Sequence, residues 1–497
     1  MFFRVFSKKT LFKKTYFRQF VNFFNQHFMN KAIKLLKDSP SARWIVLLCL
    51  SIPMFSSYFF DDLFTSIGHI FKHPELVDLA WNSADYGMYG GAYSILCVWG
   101  GLVICGMLLD KWGVKFTGSL FLGLMVIGSL LVVYALSGSF AESALSTLLA
   151  KWFSKPSLAL AYAGCAVFGL GSEIAGVAVT RSLAKWFKNK EMALAMGLQL
   201  AVARLGTATA ILLIPRLVNT NEYVSYASLG NATIVAVFLM GIAVIVWSLF
   251  IGMDIKFDKQ AEDARIAEDK PVVKDNFKFS DIFTILTNKY YILISLLCVF
   301  FYCCIISFRK FATSIIIPRF DIDSEIASWM VSMIPFCTLI FTPLFGVLVD
   351  RLGKGTKLMV LGSFLVLSAH LIIAFAPGAP LFGYLGIGIL GIGYSLVPAA
   401  MWPSVPKIIP EKNLGTAYSL IYWIQNMGML VVPMIVGAII SNTLASNAVK
   451  EVAEIKSAMY SEYLFIGLAI VAVAVSLILS NLSNKNPHMR LDIPNKK

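Results

Sequence analysis

Twelve separate apolar runs, each about 20 residues or longer and each bounded by charged or turn-forming residues, leave this chain few folds to choose from. They lie at about 43–65, 86–109, 116–138, 158–183, 192–215, 229–253, 288–313, 326–349, 357–377, 380–406, 414–440 and 459–481. A helix crossing a bilayer core about 30 Å thick needs this length. A membrane barrel needs short segments of alternating polarity, which these are not. Of 497 residues, 58% are hydrophobic and only 14% charged, against about 25% charged in soluble domains. The expected fold class is therefore an all-α membrane protein with twelve transmembrane helices.

The net charge of +14 would suggest nucleic acid as a partner in a soluble protein. Here the basic residues sit in short loops and tails, where they set topology and meet anionic lipid. Lys111 and Lys115 follow the second run, Lys185, Lys188 and Lys190 the fourth, and Arg351, Lys354 and Lys357 the eighth. Lys485, Arg490, Lys496 and Lys497 follow the last run. The positive-inside rule puts all of these, and both termini, in the cytoplasm. Residues 1–40 read as a basic segment on the cytoplasmic membrane face and contain no apolar stretch suited to a cleavable signal. The expected organisation is a six-helix half at 41–253, a charged linker at 254–287, a second half at 288–482 and a cytoplasmic tail at 483–497. The cysteines fall within apolar runs, with neither disulfide nor zinc spacing. The sequence lacks a phosphate-binding glycine loop, since the glycine-rich run at 386–395 lies in a membrane span with no strand before it. No metal, cofactor or enzymatic activity is expected.

The two halves repeat. Gly106, Asp110, Lys111, Gly113 and Lys115 after the second run recur as Gly346, Asp350, Arg351 and Gly353 after the eighth. Gly169 and Gly171 in the fourth run match Gly391 and Gly393 in the tenth, so Glu173 corresponds to Ser395. Arg204 and Gly206 in the fifth match Asn426 and Gly428 in the eleventh. Small residues at such spacings let membrane helices approach closely. The duplicated loop resembles the signature of the major facilitator superfamily, and twelve spans around a central linker fit that family. The resemblance implies two pseudo-symmetric halves, with the loop acting as a conformational latch.

Glu173 and Arg204 are the ionisable residues that stand out deepest in their spans. Measured from the turn near residue 188, both lie roughly 22–24 Å along antiparallel helices, so an acid and a base share one depth. Charges there are costly and mark functional sites unless they pair with each other. One reading is a structural salt bridge. The other is a dipolar clamp in which Glu173 takes an ammonium and Arg204 a carboxylate. Ser395 and Asn426 would complete the site from the second half, with Tyr58, Tyr93, Trp402, Tyr422 and Gln425 as further lining. Asp61, Asp62 and Asp85 lie at the outer ends of the first two spans and read as solvated helix ends, the alternative being a gate at the outer mouth where Arg309 and Lys310 could pair with them; His370 reads as lone and peripheral.

Within the superfamily, the stretches Arg43–Asp61, Gly171–Lys188 and Gly197–Gly206 resemble the branch that contains a lysosomal dipeptide uniporter. The resemblance implies passive transport of dipeptides, with the acid of the fourth span on the amine and the arginine of the fifth on the carboxylate. The expected protein is a monomeric secondary transporter of small zwitterions, dipeptides or amino acids, working by alternating access. The alternatives are a proton-coupled carboxylate carrier and a non-transporting receptor or scaffold. Outer loops nearly free of glycosylation sites favour a bacterial inner membrane over a lysosomal or other organelle membrane.

Overall fold

The computed structural model describes residues 39–187, 192–218, 223–267, 285–410, 414–486 and 491–493. Twelve helices in it are long and apolar enough to cross a membrane. They are α1 (Ser41–Asp61), α2 (Ser83–Gly106), α3 (Trp112–Ala135), α4 (Pro156–Leu183), α5 (Ala195–Val218) and α6 (Tyr226–Gln260) in the first half. The second half holds α7 (Lys289–Phe320), α8 (Ser324–Val349), α9 (Gly355–Phe375), α10 (Pro380–Ile408), α11 (Thr416–Ala445) and α12 (Lys450–Lys485). The only strand-like pairing among the described residues is an isolated bridge between Val77 and Val224. We call the side where α1 begins and α12 ends the terminal face, and the other side the opposite face.

Local chemistry explains several boundaries. Proline opens α4 and α10, where a missing N–H costs nothing. Asn82 and Asp85 form a reciprocal capping box at the start of α2 (2.9 and 2.8 Å). Asp85 also pairs with Lys155 of its own half, so this acid, expected at the outer mouth, serves a helix start instead. Asn288 caps α7 and Asp323 caps α8. The helix of α6 continues to Ala267, past the expected boundary at 253, and α7 runs seven residues past its expected end at 313. Half of the expected linker, and nearly all of the basic segment at 1–40, lie outside the described residues.

The halves meet where α2 packs on α11, α5 on α8, and α7 on the chain between α1 and α2. Near the opposite face, Gly87 and Gly91 bring α2 onto the Pro433 and Leu430 carbonyls of α11, so close that a Cβ would sit 2.5 Å from either oxygen. Two π-type turns interrupt the helices, Cys97–Gly101 in α2 and Cys303–Ser307 in α7. The first frees the Val98 carbonyl, which accepts the Trp423 indole N–H of α11 at 2.8 Å. Elsewhere large apolar side chains such as Phe238 and Ile245 of α6 and Ile340 of α8 point outward, as lipid-facing positions do.

Candidate substrate site between the two halves

Glu173 is half-buried on α4, and α4 is held by contacts that only small residues permit. A Cβ on Gly169 would collide with the Tyr93 carbonyl of α2. This approach brings the Tyr93 hydroxyl to Ser172 Oγ (2.9 Å) and to Glu173 Oε1 (3.3 Å). Ser172 Oγ in turn lies 2.5 Å from Ser57 Oγ of α1. One carboxylate oxygen of Glu173 is thereby oriented by α2.

Arg204 is half-buried on α5. A Cβ on Gly206 would overlap the Phe55 carbonyl, so α5 lies against α1 and Tyr58 stands beside Arg204. The guanidinium carbon is 5.2 Å from the Tyr58 ring centroid and 5.1 Å from that of Tyr394. Nη2 donates to the Tyr394 hydroxyl at 2.8 Å. Tyr58 belongs to the first half and Tyr394 to the second, so the cation spans the boundary between them. Glu173 and Arg204 form no ion pair with each other among the described residues; the bond to Tyr394 stands where the structural salt bridge would have been.

The second half faces these charges with an aromatic wall. Trp402 stacks on Tyr422 (centroids 5.2 Å apart, 28° between planes) and donates its indole N–H to Tyr302 Oη at 3.1 Å. Tyr302 meets Tyr394 edge-on at 5.9 Å, and Tyr418 flanks Trp402. Tyr422 reaches the first half, packing on the cluster that contains Cys97 and Ile174. Tyr58, Tyr93, Trp402 and Tyr422 thus gather around Glu173 and Arg204. The repeat-derived partners do not. Ser395 is fully buried and bonds back to the Gly391 carbonyl of its own helix, and Asn426 is 2% exposed and bonds to the Tyr422 carbonyl. Gln425 is buried and accepts from Cys298 Sγ at 3.4 Å. Internal symmetry aligns backbone positions, but the neighbouring residue, about 100° around the helix, is the one turned inward at Tyr394. Tyr394, Tyr302 and Tyr418 were not anticipated; the lone tyrosine in the glycine-rich run of α10 was the available signal.

On the opposite face the halves are tied by buried charge. Asp62 lies 2.9 Å from Arg309 Nε and accepts from Thr65 (3.0 Å) and Thr207 (2.7 Å). Asp61 pairs with Lys310 at 2.9 Å, and Tyr86 donates to the Lys310 carbonyl at 2.8 Å. These acids belong to a closed interface rather than a solvated helix end. In the loop after α1, Lys72 (3.6 Å) and His73 (3.1 Å) reach Glu454 of α12. Burial pushes the Lys72 ammonium down to about 8, against the pull of Glu454. Burial, then the charge of Lys72, pushes His69 down to about 4, so its neutral form is favoured.

On the terminal face, charges pair within their own half. Lys115 meets Asp258 at 2.6 Å, and Lys185 bridges Asp254 (2.7 Å) and Asp258 (2.5 Å). Gly113 and Gly353 both have positive φ, 77° and 64°. A Cβ on Gly106 would meet only Ser419 Oγ, at 3.9 Å, and one on Gly346 or Gly113 would meet nothing within 4 Å. The duplicated glycines of the loop therefore serve backbone conformation at Gly113 and Gly353, and the close helix approach expected at Gly106 and Gly113 is not made here. The side chains of Asp110, Lys111 and Asp350 lie outside the described residues, while Arg351 is exposed. His370, expected to be lone and peripheral, is fully buried and pairs with Glu462 of α12 at 2.8 Å between the rings of Phe308 and Phe465. Glu462, far along in sequence, supplied the missing partner.

Comparison with known proteins agrees with this architecture. Among solved structures, a bacterial homolog of the human lysosomal transporter Spinster, in an inward-facing and unoccupied conformation, superposes with a TM-score of 0.65 at 15% identity, covering 90% of this chain and 98% of that one. A D-xylose-proton symporter gives 0.61 at 14% identity over 88% and 96%. At these identities the likeness shows the fold alone. The lysosomal dipeptide transporter MFSD1 of Bos taurus is 29% identical over 80% of this chain and 79% of its own length. The Homo sapiens protein of that name is 28% identical over 80% of each chain, and the Danio rerio one 26% identical over 88% and 86%. The model of the Major Facilitator Superfamily matches residues 47–318 and 296–495. With twelve spans, a duplicated loop and this match over most of its length, this chain is a multi-pass membrane transporter of the Major Facilitator Superfamily.

Proposed function

We propose that the protein carries small zwitterions, dipeptides first among them, across the membrane by alternating access of its two halves. The observation that supports this most directly is that Glu173 and Arg204, opposite in sign and both half-buried, sit on consecutive helices of one half without neutralising each other. A buried charge left in this state needs a ligand or water. A dipeptide supplies an ammonium and a carboxylate a few ångströms apart, while the aromatic wall offers apolar surface for side chains of varied size. The similarity to MFSD1 proteins supports the same substrate class. The buried ties on the opposite face correspond to a state closed on that side. The positive loops favour a cytoplasmic terminal face, and the sparse glycosylation sites favour a bacterial inner membrane.

Uptake of labelled dialanine by the purified protein in liposomes, with and without a pH gradient, tests this reading. Uptake independent of the gradient, competed by dipeptides and not by acetate or lactate, is expected. Gradient-driven uptake of monocarboxylates would instead select the proton-coupled anion carrier. Arg204→Lys is expected to abolish uptake, because an ammonium cannot hold a carboxylate through two parallel N–H donors. Full activity in that variant would reduce the site to a simple charge requirement.

A further inference from the structure

We propose that the Tyr394 hydroxyl occupies the carboxylate seat on Arg204 in the unliganded protein, and that substrate binds by displacing it, severing a polar link between the two halves. The inference rests on the reading of Arg204 as the carboxylate subsite. Arg204 presents its guanidinium between Tyr58 and Tyr394, and Nη2 is engaged by Tyr394 Oη at 2.8 Å. A carboxylate seeks two parallel N–H donors in the guanidinium plane. A hydroxyl accepting at Nη2 takes one of the donors that such a bidentate pair would use. The exchange is favourable, because a neutral hydroxyl is a weaker acceptor for a cation than a carboxylate is. While the site is empty, the hydroxyl gives the half-buried cation an acceptor it would otherwise lack.

The position of Tyr394 gives the exchange a consequence. It is 2% exposed on α10 and packs edge-on against Tyr302, the last residue before the π-type turn of α7. Two helical turns beyond Tyr302 lie Arg309 and Lys310, which close the opposite face against Asp62 and Asp61. A carboxylate on Arg204 thus releases a second-half side chain packed against the same helix that carries those ties. An amine without a carboxylate leaves Tyr394 in place. The site then discriminates by the cost of moving the tyrosine as well as by direct attraction, which makes Tyr394 a specificity-determining residue for the presence of a carboxylate.

The test compares dialanine with dialanine amide on the detergent-solubilised full chain, reading affinity from ligand-induced thermal shifts. Wild type is expected to prefer dialanine. Tyr394→Phe keeps the ring and removes the competing hydroxyl, so dialanine is expected to bind roughly three- to tenfold more tightly, the worth of one hydrogen bond. The amide is expected to be unchanged. Tyr394→Met, which also lacks the hydroxyl, should show the same peptide-selective gain and serves if the phenylalanine variant does not fold. Weaker or unaltered dialanine binding in a folded variant, or an equal change for both ligands, overturns the displacement while leaving the Arg204 reading intact. Wild type that fails to separate the two ligands, or binds neither, removes the carboxylate subsite and the displacement with it.

Discussion

Asp62 and Arg309 face each other across the boundary between the halves at 2.9 Å, with side-chain exposures of 0% and 2%. Two ions so fully removed from water are held by each other, by Asp61 at 3.9 Å from Arg309 Nη2, and by the hydroxyls of Thr65 and Thr207 on the acid. Losing one partner is therefore far more damaging than losing both. Asp62→Asn is expected to weaken closure of the opposite face by roughly 3–5 kcal/mol. In thermal unfolding the double variant Asp62→Asn/Arg309→Gln should recover part of the loss. Losses that simply add would mean the two residues are not coupled.

Glu173 is predicted to act on the ligand's amine alone. Glu173→Gln should weaken dialanine binding about tenfold or more, the scale of a lost charge-assisted hydrogen bond. Binding of N-acetyl-dialanine, which has no ammonium, should be alike in both proteins. If both ligands lose affinity equally, the carboxylate is orienting Tyr93 and Ser172 and is not holding substrate.

The loop after α1 predicts an acid limb in stability. His69 sits at about 4 in the folded protein against 6.5 unfolded, so the unfolded state takes up its proton first as pH falls. Stability from this group is complete above pH 6.5 and is lost as pH falls from 6.5 towards 4, at no more than about 1.4 kcal/mol per unit. Lys72 carries the same sign in a different window: with its ammonium at about 8 against 10.5, stability rises as pH climbs from about 8 to 10.5. Melting temperature against pH should fall less steeply between 6.5 and 4 in His69→Gln than in wild type. Parallel curves would show that His69 is not the titrating group.

Two glycines of α3 should respond oppositely to alanine. Gly113, at a kink in the first turn of α3, has φ 77° and ψ 169°, a conformation essentially closed to residues with a Cβ. Gly113→Ala is expected to cost about 1–3 kcal/mol. Gly123, in α3 with open space at its Cβ position, should be stabilised by up to about 1 kcal/mol as alanine. Melting temperatures of the two variants check both signs, and a harmless Gly113→Ala would show that the kink adopts another backbone.

Much of this protein was legible without coordinates because the bilayer imposes its constraint locally. Each span must satisfy its own backbone hydrogen bonds, so length and apolarity alone identify the helices. The charges at Glu173 and Arg204 were legible for the same reason: few side chains are as expensive at that depth. Repeat matching carried the duplicated loop, but it pointed to Ser395 and Asn426, which bond to their own helices, while Tyr394 one position away meets Arg204.

What the sequence determined by itself is therefore the set of helices, their two-fold repetition and the depth of the exceptional charges, all properties of single segments in a known solvent. Only the tertiary structure decided the partners: Tyr394 for Arg204, Glu462 for His370 and Arg309 for Asp62. These pairings join residues from 92 to 247 positions apart and depend on the rotation of one helix about its axis relative to another. That rotation is set by where small residues such as Gly169 and Gly206 let backbones touch, and hydropathy along one segment carries no record of it.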